Sequence, residues 1–151
     1  MIRLIAILVF LIIIVYICGI LKVPKEFTII QTSLVNLNDD LILEKNPIVI
    51  SDAIVDCAQL TQTAFSYLYI YKTSNPIIKK TNQYSFLLIR SKDESEVLIQ
   101  HPKNNLQSLI KLHFGNILIL PLGWKYLIKK NNVQIIGLHT ISSFIASFIV
   151  S

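Results

Sequence analysis

Glycine, histidine, cysteine and arginine are all scarce in this chain, and each shortage closes off a class of chemistry. Four glycines in 151 residues leave no glycine-rich loop to cradle a phosphate, no dinucleotide-binding turn and no Gly-x-Ser-x-Gly nucleophile elbow. The three histidines, His101, His113 and His139, have no metal-ligand spacing, and each reads as a surface or internally satisfied side chain. Cys18 and Cys57 lie in segments of different character and make no disulfide framework, which fits a reduced environment or indifference to redox. Cys57 has no histidine beside it in sequence and reads as a buried, inert thiol. No Asn-x-Ser/Thr sequon is present, which weakly favours a domain facing the cytosol. With two arginines and no stacking motif, the formal charge of +5 does not point to nucleic acid.

What the chain does hold is isoleucine, lysine and asparagine, 28, 12 and 10 residues respectively. All three have A/T-rich codons, so the coding genome is AT-rich. The charge is unevenly placed, with a net −5 over residues 26–56 and +7 from residue 72 onward. The basic residues are scattered, however, as solvated strand faces require. Asp39 and Asp40 sit in a turn-like polar stretch where solvated acids are usual.

Residues 4–21 form an 18-residue run without a charge. As a helix it would rise about 27 Å, near the ~30 Å hydrocarbon core of a bilayer. Arg3 flanks it on one side and Lys22 and Lys25 on the other, where they can snorkel to headgroups. A cleavable signal peptide has a shorter apolar core and a small-residue cleavage site, neither of which is present. Ile17 before Cys18 also excludes a lipoprotein signal. The expectation is a retained signal anchor over residues 1–25, with Leu4, Ile12, Ile13, Tyr16 and Leu21 in the lipid phase. That makes a single-pass membrane protein whose first partner is the bilayer, with its orientation undecided because both flanks are basic.

Residues 26–151 are numerous enough for one core and are rich in β-formers. Strands are expected over 27–32, 46–50, 84–90, 96–100, 108–114, 116–120, 126–129 and 133–139. A short helix or turn is expected over 33–43, and a short helix from an Asp56 N-cap to about residue 65. Ile110, Leu112 and Phe114 alternate on one face, with Lys111 and His113 on the other. Residues 116–120 are continuously apolar, like a strand covered on both faces. Asn131-Asn132 signals a hairpin turn and Asn75-Pro76 another turn. Tyr67, Tyr69 and Tyr71 alternate as packing residues would, and the apolar stretch 141–150 is too short to span a bilayer.

Gly115, Pro121, Gly123, Trp124 and Tyr126 resemble the second conserved motif of cupins, and the Trp is common in the related JmjC-type oxygenases. Residues 44–50, with Pro47 before β-branched residues, are similar to the opening strand of those domains. The resemblance implies a cupin-like double-stranded β-helix or β-sandwich with one or two short helices, mainly β overall. It also implies where a metal would be held, and this sequence departs there. Tyr126 stands at the histidine position of the motif, and no histidine lies in the region of the first motif. No cofactor and no catalytic residue are therefore expected.

The apolar N-terminus, the AT-rich composition and the degenerate cupin-like domain together resemble membrane-anchored proteins of large nucleocytoplasmic DNA viruses. That resemblance implies a structural or interaction protein, a minor virion or capsid-associated component linking membrane and capsid, with other virion or membrane proteins as partners. The alternative is an anchored cupin-like enzyme or a carbohydrate- or small-ligand-binding module, in which Trp124 and Tyr126 stack on a sugar ring.

Overall fold

The middle of the chain carries strands apolar on both faces, and the architecture follows from covering them. In the computed structural model, residues 2–20, 22–53, 55–63, 71–73, 79–129, 132–140 and 143 are described. Helix α1 (Ile2–Ile20) comes first, then β1 (Ile30–Thr32), α2 (Asp39–Leu43), β2 (Ile48–Ile50) and α3 (Cys57–Thr63). Strands β3 (Tyr71–Thr73), β4 (Lys79–Thr81), β5 (Phe86–Ser91) and β6 (Ser95–Gln100) follow. The described elements end with β7 (Gln107–Leu112), β8 (Ile117–Pro121), β9 (Lys125–Ile128) and β10 (Val133–His139).

The fold is mainly strands, in two sheets. The larger sheet has the order β1-β2-β8-β5-β10-β3 and the smaller β4-β9-β6-β7. The β1–β2 pair is parallel and the other pairs are antiparallel. One face of the larger sheet meets the smaller sheet. Leu87, Ile89, Leu118 and Leu120 pack there against Val97, Ile99, Ile110, Leu112 and Ile128. Its other face, with Ile48, Ile50, Leu88, Ile117, Ile119 and Ile136, is covered by Ile42 of α2 and by Cys57 and Leu60 of α3. β8 is buried at every position, as the continuous apolar run over 116–120 predicts.

The two short helices form because their first turns are capped. The Asn38 side chain accepts from Leu41 N at 3.0 Å, and Asp39 and Asp40 place negative charge where the helix dipole favours it. Asp56 accepts from Gln59 N at 2.7 Å while Gln59 Oε1 accepts from Asp56 N at 3.0 Å. This reciprocal capping box confirms Asp56 as the start of α3. On β10, Gly137 lies under the Tyr84 ring, where an added Cβ would come within 2.4 Å of Tyr84 Cδ1. The strand needs glycine there because the ring occupies the space of a side chain.

Several expectations require correction. The single-pass membrane protein is not upheld: among the described residues no helix is long and apolar enough to cross a membrane. α1 holds Leu4, Ile12, Ile13 and Tyr16, while Leu21 lies outside the described residues. Phe114 does not share the buried face of Ile110 and Leu112. β7 ends at Leu112, and Phe114 is 76% exposed in the turn that follows. β9 and β10, which flank Asn131-Asn132, belong to different sheets and do not pair with each other, and Asn131 itself lies outside the described residues. The 75–76 turn, Tyr67, Tyr69 and the 141–150 stretch apart from Ser143 lie outside the described residues.

Ile117 and Ile119 are fully buried on the helix-covered face of this double-faced strand, whereas Lys111 is exposed on β7. Ile117→Ala or Ile119→Ala should therefore cost about 2–5 kcal/mol in urea unfolding. Lys111→Ala should change stability by less than about 0.5 kcal/mol.

Candidate functional site

The glycine–proline motif builds the turn that organises one end of the sandwich. Gly115 precedes β8 with φ +79° and donates from its N–H to Ser91 O at 3.2 Å. Gly123, after Pro121, has φ +86° and donates to Asn82 O at 2.8 Å. Both lie in the left-handed region where a side chain is strained. Gly115 therefore marks the start of β8, while Pro121, Gly123 and Trp124 gather at its far end.

Asn82, fully buried after β4, ties that end together. Its Nδ2 donates to Leu120 O at 2.7 Å and to Pro121 O at 2.8 Å, and its Oδ1 accepts from Tyr84 N at 2.9 Å. Its backbone N–H donates to Trp124 O at 2.7 Å. One side chain thus satisfies groups on the exit of β8 and on the approach to β5. Sequence reasoning missed it, since an asparagine between two short strands looks like any turn residue.

Trp124 is fully buried and turns inward rather than presenting a stacking face. Its ring lies 5.1 Å from His101 and 5.6 Å from Phe27, centroid to centroid. Its Nε1 donates to Lys45 O at 3.2 Å. His101 Nδ1 accepts from Lys103 N and Asn104 N at 3.2 and 3.3 Å. The remaining ring nitrogen, Nε2, then carries the proton and donates to Pro24 O at 3.0 Å. His101 is thereby a structural tie on the segment that leaves α1. Lys45 adds a second tie: its Nζ donates to Gly19 O at 2.7 Å, at the end of α1, where a cation complements the helix dipole.

These ties leave an open apolar cleft of about 390 Å³ between the end of α1 and the sandwich. Tyr16, Ile42, Leu43, Lys45, Phe86 and Leu122 are among its walls. The Lys45 ammonium is held below its ordinary pKa by burial, and secondarily by the nearby charge of Lys22. A second groove of about 400 Å³ on the small sheet is bordered by Thr81, Gln100, Gln107, Lys125 and Tyr126.

Tyr126, which the sequence resemblance would set at a metal-ligand position, is a phenol kept neutral. Burial, with Tyr84 nearby, pushes Tyr126 up to about 12, which opposes the ionisation that ligation needs. Among the described residues no group of three His, Cys, Asp or Glu side chains could hold a metal ion. Asp39 and Asp40 lie exposed in the first turn of α2. His113 pairs with Glu94 across 3.9 Å at the surface, and His139 stacks on Tyr84 at 4.6 Å. The three histidines are thus occupied separately and do not converge. Cys57 is buried as expected, and its thiol is pushed up to about 12 by that burial.

No known protein family, curated protein or solved structure matches this chain.

Two outcomes follow for stability. Asn82→Ala leaves buried backbone groups without partners and should cost about 3 kcal/mol or more in urea unfolding. The second concerns alkaline pH. The folded chain keeps the Cys57 thiol protonated up to about 12 against an ordinary 9.0. Unfolding therefore releases a proton between those values, and stability falls as pH rises through that window. Cys57→Val should flatten the decline in urea midpoint above pH 9, leaving the Tyr126 contribution, which begins near 10.0.

Proposed function

We propose that the protein is a structural interaction protein, a β-sandwich that presents α1 as its docking element to a partner protein. The observation that carries this reading is the surface of α1: Leu4, Ile5, Ile7, Phe10 and Ile12, spread around the helix, are each more than half exposed. A helix apolar on all sides is stable only when other surfaces enclose it. Helix-in-groove recognition by a partner supplies such an enclosure.

The sandwich itself is read as cupin-like. Support comes from the two sheets, antiparallel except for the β1–β2 pair, and from Gly115, Pro121 and Gly123, which bracket β8 as the motif requires. The resemblance to viral proteins supplies the class of partner, another virion or capsid-associated protein. The reading of the domain as a sugar-stacking module loses its main support, because Trp124 is enclosed by Phe27 and His101.

Purified particles or complexes that contain the chain should return it in a fixed, near-stoichiometric ratio to one partner. Ile12→Glu, at a position 60% exposed, should abolish that recovery while moving the melting temperature by no more than about 2 °C. Recovery at trace levels only, or recovery indifferent to Ile12→Glu, would overturn the proposal.

A further inference from the structure

The cleft beside α1 has a chemistry of its own that the docking role does not use. Its walls are side chains from three places: Val15 and Tyr16 of α1, Ile42 and Leu43 of α2, and Phe86 with Leu122 from the sandwich. Its hydroxyls at the edge, Ser85 and Thr140, bond each other at 2.7 Å and so leave the lining effectively apolar. Its volume of about 390 Å³ falls within the ~300–1,000 Å³ typical of small-molecule sites. Lys45 lies on the wall, with one of its three N–H donors given to Gly19 O.

Lys45 is built into that position. Its backbone is left-handed at φ +59°, an uncommon state for a residue with a side chain. The Trp124 indole holds its carbonyl at 3.2 Å, which fixes the backbone from within the core. The ammonium at the end of this arrangement is partly desolvated and faces a second cation, Lys22. An anion placed there would relieve both costs, and an alkyl chain attached to it would cover the apolar walls.

We propose that this cleft binds a single-chain amphiphile with an anionic head, of the free fatty-acid class, its carboxylate at Lys45 and its chain between α1, α2 and Phe86. The inference stands apart from the docking role of α1, because it concerns the domain side of the cleft and requires no protein partner.

The full-length protein is exposed to dodecanoate carrying a photoreactive diazirine, irradiated, and the labelled peptides are mapped by mass spectrometry. Labelling is expected around residues 41–45 and 85–86, and the corresponding neutral alcohol should label them far less. Lys45→Met should weaken labelling there about tenfold, the loss of one charge-assisted hydrogen bond, and Lys45→Arg should retain it. Leu43→Trp, at a position 73% exposed on the cleft wall, should block the site with the melting temperature unchanged. It therefore tests the site even if Lys45→Met unfolds the chain. Labelling confined to residues 4–14, equal labelling by acid and alcohol, or labelling that survives Leu43→Trp would overturn the proposal.

Discussion

The larger sheet has no solvent face over its central strands, and most of the remaining architecture answers that constraint. β5, β8 and β10 send Leu87, Ile89, Leu118 and Leu120 one way and Leu88, Ile117, Ile119 and Ile136 the other. Two separate covers are then required, because each face must leave water to contribute. The smaller sheet supplies one cover. The short helices α2 and α3 supply the other, and neither is long enough to be stable without it. Their caps at Asn38 and Asp56 direct short polar segments into helices at the place where the sheet needs them.

A sheet wrapped in this way still has ends where backbone groups run out of partners. Asn82 resolves one of them with a single buried side chain that joins the exit of β8 to the approach of β5. The left-handed glycine at 123 brings the chain back over Asn82 and delivers Trp124 into the core. From Trp124 the connection continues outward through the Lys45 carbonyl to the Lys45 ammonium and the last turn of α1. The position of the N-terminal helix thus depends on the turn at Pro121–Trp124, although the two are about a hundred residues apart in sequence.

The same turn shows how a fold motif and its usual chemistry can separate. Glycine and proline in the motif serve backbone geometry, and that geometry is present at Gly115, Pro121 and Gly123. Tyr126, which follows that turn, belongs to an apolar core that keeps its phenol neutral. His101, which a search for ligands would single out, spends both ring nitrogens on backbone groups. The interior around Trp124, Tyr126 and His101 is therefore packed and hydrogen-bonded within the fold.

Local signals were legible in the sequence wherever the physics is local. The alternation of Ile110 and Leu112 with Lys111 in β7, the unbroken apolar run of β8, the extent of β10 and the Asp56 cap could all be read directly, since alternation and capping are properties of a few consecutive residues. Relations between distant segments were not legible. Asn131-Asn132 looks like a hairpin turn, but tertiary packing puts β9 and β10 in different sheets. Asn82, Gly137 and Lys45 carry no local signature, because their roles are set by Leu120, Tyr84 and Gly19, far away in the chain. The apolar N-terminal run determined that residues 2–20 form a helix with no polar face. Where that helix ends, how it is tied to the domain and what cleft it encloses were decided only in three dimensions, by hydrogen bonds from Lys45 and His101 that no window of sequence contains.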